Sequence, residues 1–262
     1  KLLPNYFTKR TVFINLGCIF SGIIGAFLVG HFGVPIIWAV SGLGLIISVL
    51  FLFFADEEFV KHEVDVSGSF SSLIKQVKKS VKYSYRHHIL FYLLLITFLL
   101  VIFGNLFSSM TWTPLLKEYN FPDYAFGYLW SATAIIGLFS PMIASKLMKG
   151  RKKRGLLIGA LILLFLLSCL ILFANSVVLI ILVLMLFYGV LDFYNPIFNV
   201  FFHRHTPTKM RATIGAINSV TMSIAALIAL PTAGFLAEYV GPSYTIFIAG
   251  FFALIAAVLY FF

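Results

Sequence analysis

The stretch Val177–Phe201 reads VVLIILVLMLFYGVLDFYNPIFNVF and contains a single formal charge, Asp192. A helix needs about 20 mostly apolar residues to cross a bilayer, and this run exceeds that length. Runs of the same kind recur at Val12–Gly30, Val34–Phe54, Ile89–Ser108, Ala125–Ser145, Gly155–Phe173, Ala212–Leu236 and Gly241–Phe262. They are too long for strands and lack period-2 alternation, so a barrel is excluded. The expected fold class is all-α, a polytopic bundle of eight membrane helices.

Composition agrees. The chain is 61% hydrophobic and only 11% charged, whereas a soluble domain carries roughly 25% charge. Its mean hydropathy is +1.03. Such a chain lacks the polar surface to cover a core in water. The net charge of +10 does not point to nucleic acid, because the charges sit in short loops between apolar runs. There they read as topology signals and as contacts to lipid headgroups. Cys18 and Cys169 lie inside apolar runs and read as small buried hydrophobes. No disulfide or metal spacing appears. The chain opens on Lys1 and ends on Phe262 within an apolar run, and is expected to be part of a longer protein.

The basic residues set the orientation. Lys1, Lys9 and Arg10 precede the first run, and the next loop, His31 to Gly33, has none. Alternation continues along the chain, and of the 19 Lys and Arg only Lys117 falls on the opposite side. By the positive-inside rule both ends are expected in the cytoplasm, with a plasma or bacterial inner membrane as the site. Trp112 and Tyr119 fit the aromatic belt of the outer interface. Within the long cytoplasmic loop Ala55 to His88, Phe70, Leu73, Ile74, Val77 and Val81 recur at helical spacing opposite four lysines. This predicts an amphipathic helix on the anionic leaflet. A solvated linker is the alternative.

An internal repeat is visible. Phe27-Leu28, Gly33, Gly42, Ile47 and Phe53-Phe54 match Phe235-Leu236, Gly241, Gly250, Ile255 and Phe261-Phe262, each at an offset of 208. Upstream, Pro4 and Asn15 match Pro207 and Asn218 with the same spacing of eleven. A helix pair repeated at this distance implies a unit of about six helices.

That arrangement resembles the major facilitator superfamily, which has two six-helix halves joined by a long cytoplasmic loop. The stretch Pro207–Gly241, with Arg211-Ala212-Thr213 entering a helix, resembles the family's helix 11. Arg151-Lys152-Lys153 after Gly150 resembles its basic loop between helices 8 and 9, with Leu147 where an acidic residue is usual. The run Gly17–Ala26 resembles the glycine-rich helix-5 motif of the family's antiporters, with Gly22 in place of the motif's proline. The resemblance implies that residues 1–54 end the N-terminal half as helices 5 and 6. It makes 55–88 the inter-half loop and 89–262 a complete second half, helices 7 to 12, with four helices upstream.

Gly17, Ser21, Gly22 and Gly25 are small residues at spacings that let helix backbones approach. They could seal a path between halves or serve ordinary packing. Asp192 is the one acid deep in a run, and a charge near the midplane must be solvated, paired or protonated. Tyr188, Asp192, Asn195 and Asn199 step by four, three and four and so share one helix face. Pro196 should loosen the helix there. In the resembled family helices 7 and 10 line the central path, and helix 7 would offer Thr97, Asn105, Ser108 and Trp112. Asp192 is then either a proton or substrate-cation site, or a buried hydrogen-bonded acid that holds helices together. Glu238 reads as solvated. His203 and His205 read as loop histidines without a third metal ligand.

No phosphate-binding glycine loop is present. The expectation is a secondary active transporter of a small organic solute, without enzyme activity, cofactor or metal. Its partners would be substrate, protons and membrane lipids, with no nucleic acid, and it would act as a monomer. Efflux by antiport is favoured over uptake by symport. A lipid-processing enzyme would need clustered Asp, His or Glu near one interface. A scaffold or permease subunit would fit a chain without a midplane acid.

Overall fold

A computed structural model describes residues 2–54, 83, 87–148, 153–207 and 211–262. The helices are α1 (Leu2–Phe32), α2 (Ile36–Leu52), α3 (His88–Leu106), α4 (Ser109–Glu118) and α5 (Ala125–Leu147). They continue with α6 (Lys153–Leu170), α7 (Val177–His205), α8 (Arg211–Tyr239) and α9 (Pro242–Leu259). No strand occurs among the described residues. The amphipathic segment expected around Phe70–Val81 lies outside them.

Among the described residues seven spans meet membrane length, α3 and α4 together forming one of them. The expected span Val34–Phe54 is the exception, since its helix is α2, of 17 residues. Pro35 sets its start, and Phe53 and Phe54 bond back only three residues to Leu50 and Phe51. At 1.5 Å per residue α2 reaches about 26 Å, the short end of spanning lengths.

The expected span Ile89–Ser108 also differs. The helix breaks at Phe107, and Ser108 adopts an extended conformation (ψ 179°) and caps α4 by accepting from Met110 N at 3.3 Å. The break has local causes. Asn105 Nδ2 donates to Val101 O at 2.7 Å, and Thr111 Oγ1 donates to Leu106 O at 2.7 Å. Thr111 thereby satisfies the Leu106 carbonyl, which a continuous helix would pair with Met110 N, and Asn105 adds a second donor to a carbonyl one turn before the break.

Helices α3 to α9 form one packed body. α5 lies on α7, α7 on α6, α6 on α9, α9 on α3 and α3 on α8. Leu, Ile and Phe fill its centre, where Phe107 and Phe187 stack. Close helix approach relies on small residues. α8 buries Ala225, Ala229 and Ala233, one every turn. α9 buries Ala249, Gly250, Ala253, Ala256 and Ala257. Hydroxyls clamp both ends: Tyr194 and Tyr260 share a 2.8 Å hydrogen bond, and Tyr119 donates to Ala174 O at 3.1 Å. Lys117, the one basic residue outside the charge pattern, pairs with Asp123.

α1 joins this body chiefly through one helix. It lies along α5, with smaller contacts to α7 and α2. α2 buries no residue. Two glycines matched by the 208-residue offset, Gly33 and Gly241, both take positive φ, +78° and +100°, at the turns before α2 and α9. That conformation is easy only for glycine. Another matched pair diverges: Gly42 faces open space, whereas Gly250 sits against Ser168.

At Gly250 a Cβ would lie 2.7 Å from Ser168 Cβ. Gly250→Val is therefore expected to destabilise the α6–α9 contact by about 1–3 kcal/mol. Ser168→Gly should restore part of that loss in the double variant, as read by thermal unfolding in detergent.

Candidate functional site

The α1–α5 contact is a backbone-to-backbone approach. A Cβ on Gly127 would fall 2.6 Å from Gly22 O and 2.9 Å from Ala26 Cβ. A Cβ on Gly22 would strike Ser131 Oγ and come within 2.6 Å of Gly127 O. Ser131 Oγ lies 2.9 Å from Ile19 O across the interface and 3.1 Å from Gly127 O on its own helix. The single hydroxyl proton serves one of these carbonyls at a time.

Of the four small residues expected to pack, only Gly22 is in such contact. Gly17 has nothing within 4 Å, Gly25 touches only Ile37 at 3.8 Å, and exposed Ser21 bonds back to Cys18 O. The reason is helical phase. Gly22 and Ala26 are one turn apart and face α5, while Gly17, Ser21 and Gly25 lie off that line.

The same antiparallel register continues down the pair. Asn15 lies two turns before Gly22, and it meets Gly137 of α5 and Asp192 of α7. Asn15 Nδ2 donates to Asp192 Oδ2 at a long 3.4 Å. A Cβ on Gly137 would collide with Asp192 Oδ2 and lie 2.7 Å from Asn15 Nδ2 and 2.8 Å from Asn15 Oδ1. Three helices thus meet at one carboxyl group, and the absent side chain at position 137 makes room for it. Asn15 is 7% exposed, and it is the one hydrogen-bond partner of Asp192 among the described residues. A carboxylate accepts up to about four hydrogen bonds, so a single long one leaves capacity for solvent, solute or a proton.

Above this point stands an aromatic wall. Trp112 and Trp130 lie parallel with centroids 6.4 Å apart, and Tyr188 stands edge-on to Trp130 at 5.3 Å. Trp112 is 5% exposed and not part of an interfacial belt. The restart of the helix at Ser108 turns it inward. Its Nε1 is buried without a partner in good hydrogen-bond geometry, and the Tyr188 hydroxyl is the polar group beside it. Tyr119 stays partly exposed while its hydroxyl reaches Ala174 O. A recess of about 420 Å³ opens here between α1, α2, α4 and α5, lined by Gly22, Ala26, Trp112, Asp123, Phe126 and Trp130.

The other expected site residues scatter. Asn195 is exposed and Asn199 half-buried on α7. Thr97 is buried, and its hydroxyl is spent on Leu93 O at 3.0 Å. Asn105 and Ser108 serve the α3 break. Asp192 therefore meets α1 and α5, not α3. His203 and His205 belong to the last turn of α7, not to a loop, and His205 Nδ1 bonds Phe201 O at 2.8 Å. Cys18 and Cys169 are half-buried. No group of three metal-binding side chains occurs among the described residues.

A bundle with this helix order, and an acid held where α1, α5 and α7 meet, raises the question of family. The Major Facilitator Superfamily model matches residues 6–221 and, in a second overlapping placement, 149–262. The chain belongs to the Major Facilitator Superfamily. It is an integral membrane protein of a family of secondary transporters, which bind small solutes within the bilayer and are generally not enzymes. A comparison with curated proteins finds no match to the chain.

Sequence reasoning singled out Asn15 only as a repeat marker and missed Gly137 and Trp130. A glycine in a membrane helix is too common to signal a site. Gly22→Val is expected to lower stability by about 1–3 kcal/mol through α1 displacement. Gly17→Val should leave thermal unfolding in detergent unchanged.

Proposed function

We propose that this superfamily transporter couples solute movement to protons through Asp192, at the contact of its two halves. One observation carries the reading: the Asp192 carboxyl lies between α7 and α1 with Asn15 as its one hydrogen-bonding neighbour. In hydrocarbon an ionised carboxylate is costly unless paired or wet. Protonation removes that cost, so the charge state of Asp192 changes how tightly α1 and α7 can close. This is the physical content of coupling in alternating access. Tyr188, Asn195 and Asn199 continue the same face of α7 toward a solute path.

In this proposal α1 and α2 are helices 5 and 6 of the first half, and α3 to α9 form helices 7 to 12. Supporting it are the 208-residue offset and a family model that aligns twice over 149–221. Export by antiport is the proposed direction, supported by the resemblance of Gly17–Ala26 to the glycine-rich motif of the family's antiporters. The proposed substrate is a small amphipathic organic molecule, carried by a monomer in the plasma or inner membrane with the basic loops cytoplasmic.

Proteoliposomes with an imposed pH gradient test the proposal, with ethidium as the first probe. Wild type should move it against its gradient. Asp192→Asn should lose pH-driven accumulation at least tenfold while retaining downhill exchange. Gly137→Ala should slow both, because its methyl group displaces Asp192 and Asn15 together. Coupling that survives in Asp192→Asn would remove Asp192 from the mechanism.

A further inference from the structure

A trough of about 510 Å³ runs along the wall of the packed body between α5, α6 and α7. Ile136 and Ile143 of α5, Gly155 and Gly159 of α6, and Leu186 and Phe193 of α7 line it. Its width comes from missing side chains, since a Cβ at Gly155 or Gly159 would meet nothing within 4 Å. Ile143 and Leu186 stand half-exposed on its rims. The one hydroxyl along it, on Ser140, is already spent on Ile136 O at 3.1 Å. No free polar group therefore asks for a polar guest, and a hydrocarbon chain fits the walls. From Gly155 to Leu163 the trough is about 12 Å long, close to the ~15 Å depth of one leaflet's hydrocarbon.

One end of the trough is cationic. Lys146 lies three residues beyond Ile143 on α5, and Lys153 lies three residues before Leu156 on α6. At that spacing each shares the face of a lining residue. The one ion pair among the described residues is Lys117–Asp123, so neither lysine has a carboxylate partner there. Arg154 is turned away, its guanidinium 5.8 Å from the Phe261 ring.

We propose that this trough is a binding site for an anionic phospholipid, one acyl chain lying against Gly155 and Gly159 and the phosphate resting between Lys146 and Lys153. The lipid belongs to the leaflet on the side of the basic loops. The site is separate from Asp192, and its failure leaves the coupling proposal untouched.

The test uses the protein in bilayers of equal phosphatidylglycerol and phosphatidylcholine, with a spin-labelled form of each. Wild type should immobilise phosphatidylglycerol in preference to phosphatidylcholine. Lys146→Gln with Lys153→Gln should reduce that preference by about fivefold per lysine. Gly159→Phe should displace the immobilised chain while leaving the lysines in place. Lys146→Gln alone, a change on an exposed side chain, keeps the test decisive if the larger substitution fails to fold. Equal immobilisation of both lipids by wild type, or a preference unchanged in the lysine variants, would overturn the proposal. So would subunit counting that shows dimers broken by Gly159→Phe, because a second copy would then fill the trough.

Discussion

Helix backbones approach closely in lipid only where side chains are absent, because no aqueous driving force pushes helices together there. At α1 and α5 that constraint is met by Gly22, Ala26 and Gly127, whose atoms would overlap if position 22 or 127 carried a Cβ. The consequence extends two turns away. With the axes this close, Asn15 can reach across α5 at Gly137 and touch the Asp192 carboxyl on α7. A wider separation would leave the acid facing either empty space or lipid. The polar site therefore depends on an apolar packing contact, and the missing side chains at 22, 127 and 137 are its essential features.

The six-helix body solves the same problem differently. Alanine every fourth residue on α8 and small residues along α9 give it tight internal seams. The Tyr194–Tyr260 hydroxyl pair supplies a buried polar contact at the α7–α9 seam. α1 is anchored to this body mainly through one neighbour, α5. It is held by the Gly22–Gly127 approach, one hydroxyl from Ser131 and the long Asn15–Asp192 bond. The helix that leans chiefly on a single partner thus carries the contact to the titratable group.

Much of the fold was legible in the sequence because hydrophobic length and loop charge are local properties. Val177–Phe201 announces a membrane helix by itself, and α7 extends it by only four residues to His205. What the sequence did not show was which helices touch. Asp192 was found because an acid in an apolar run is conspicuous. Its partner was not, because the choice between α1 and α3 as the neighbour of α7 depends on bundle geometry and leaves no periodic trace. Trp112 was misplaced for a related reason. Hydropathy sees a span ending near Ser108, but not that Asn105 and Thr111 break the helix there and aim the next turn inward.

α7 shows how one helix can serve two environments. Toward α1 it presents Asp192, with Tyr188 one turn earlier against Trp130, and toward the trough it presents Leu186, Gly189 and Phe193. Gly189 faces Ile136, where a Cβ would come within 2.6 Å of Ile136 Cγ2, so a side chain of α5 packs directly on the bare backbone of α7 in the seam between these faces. A seam without slack behaves as a rigid wall. The α1–α5 approach at Gly22 and Gly127 is at least as close, so a change of charge at Asp192 acts at a junction of three helices where neither seam on α5 has slack to absorb it.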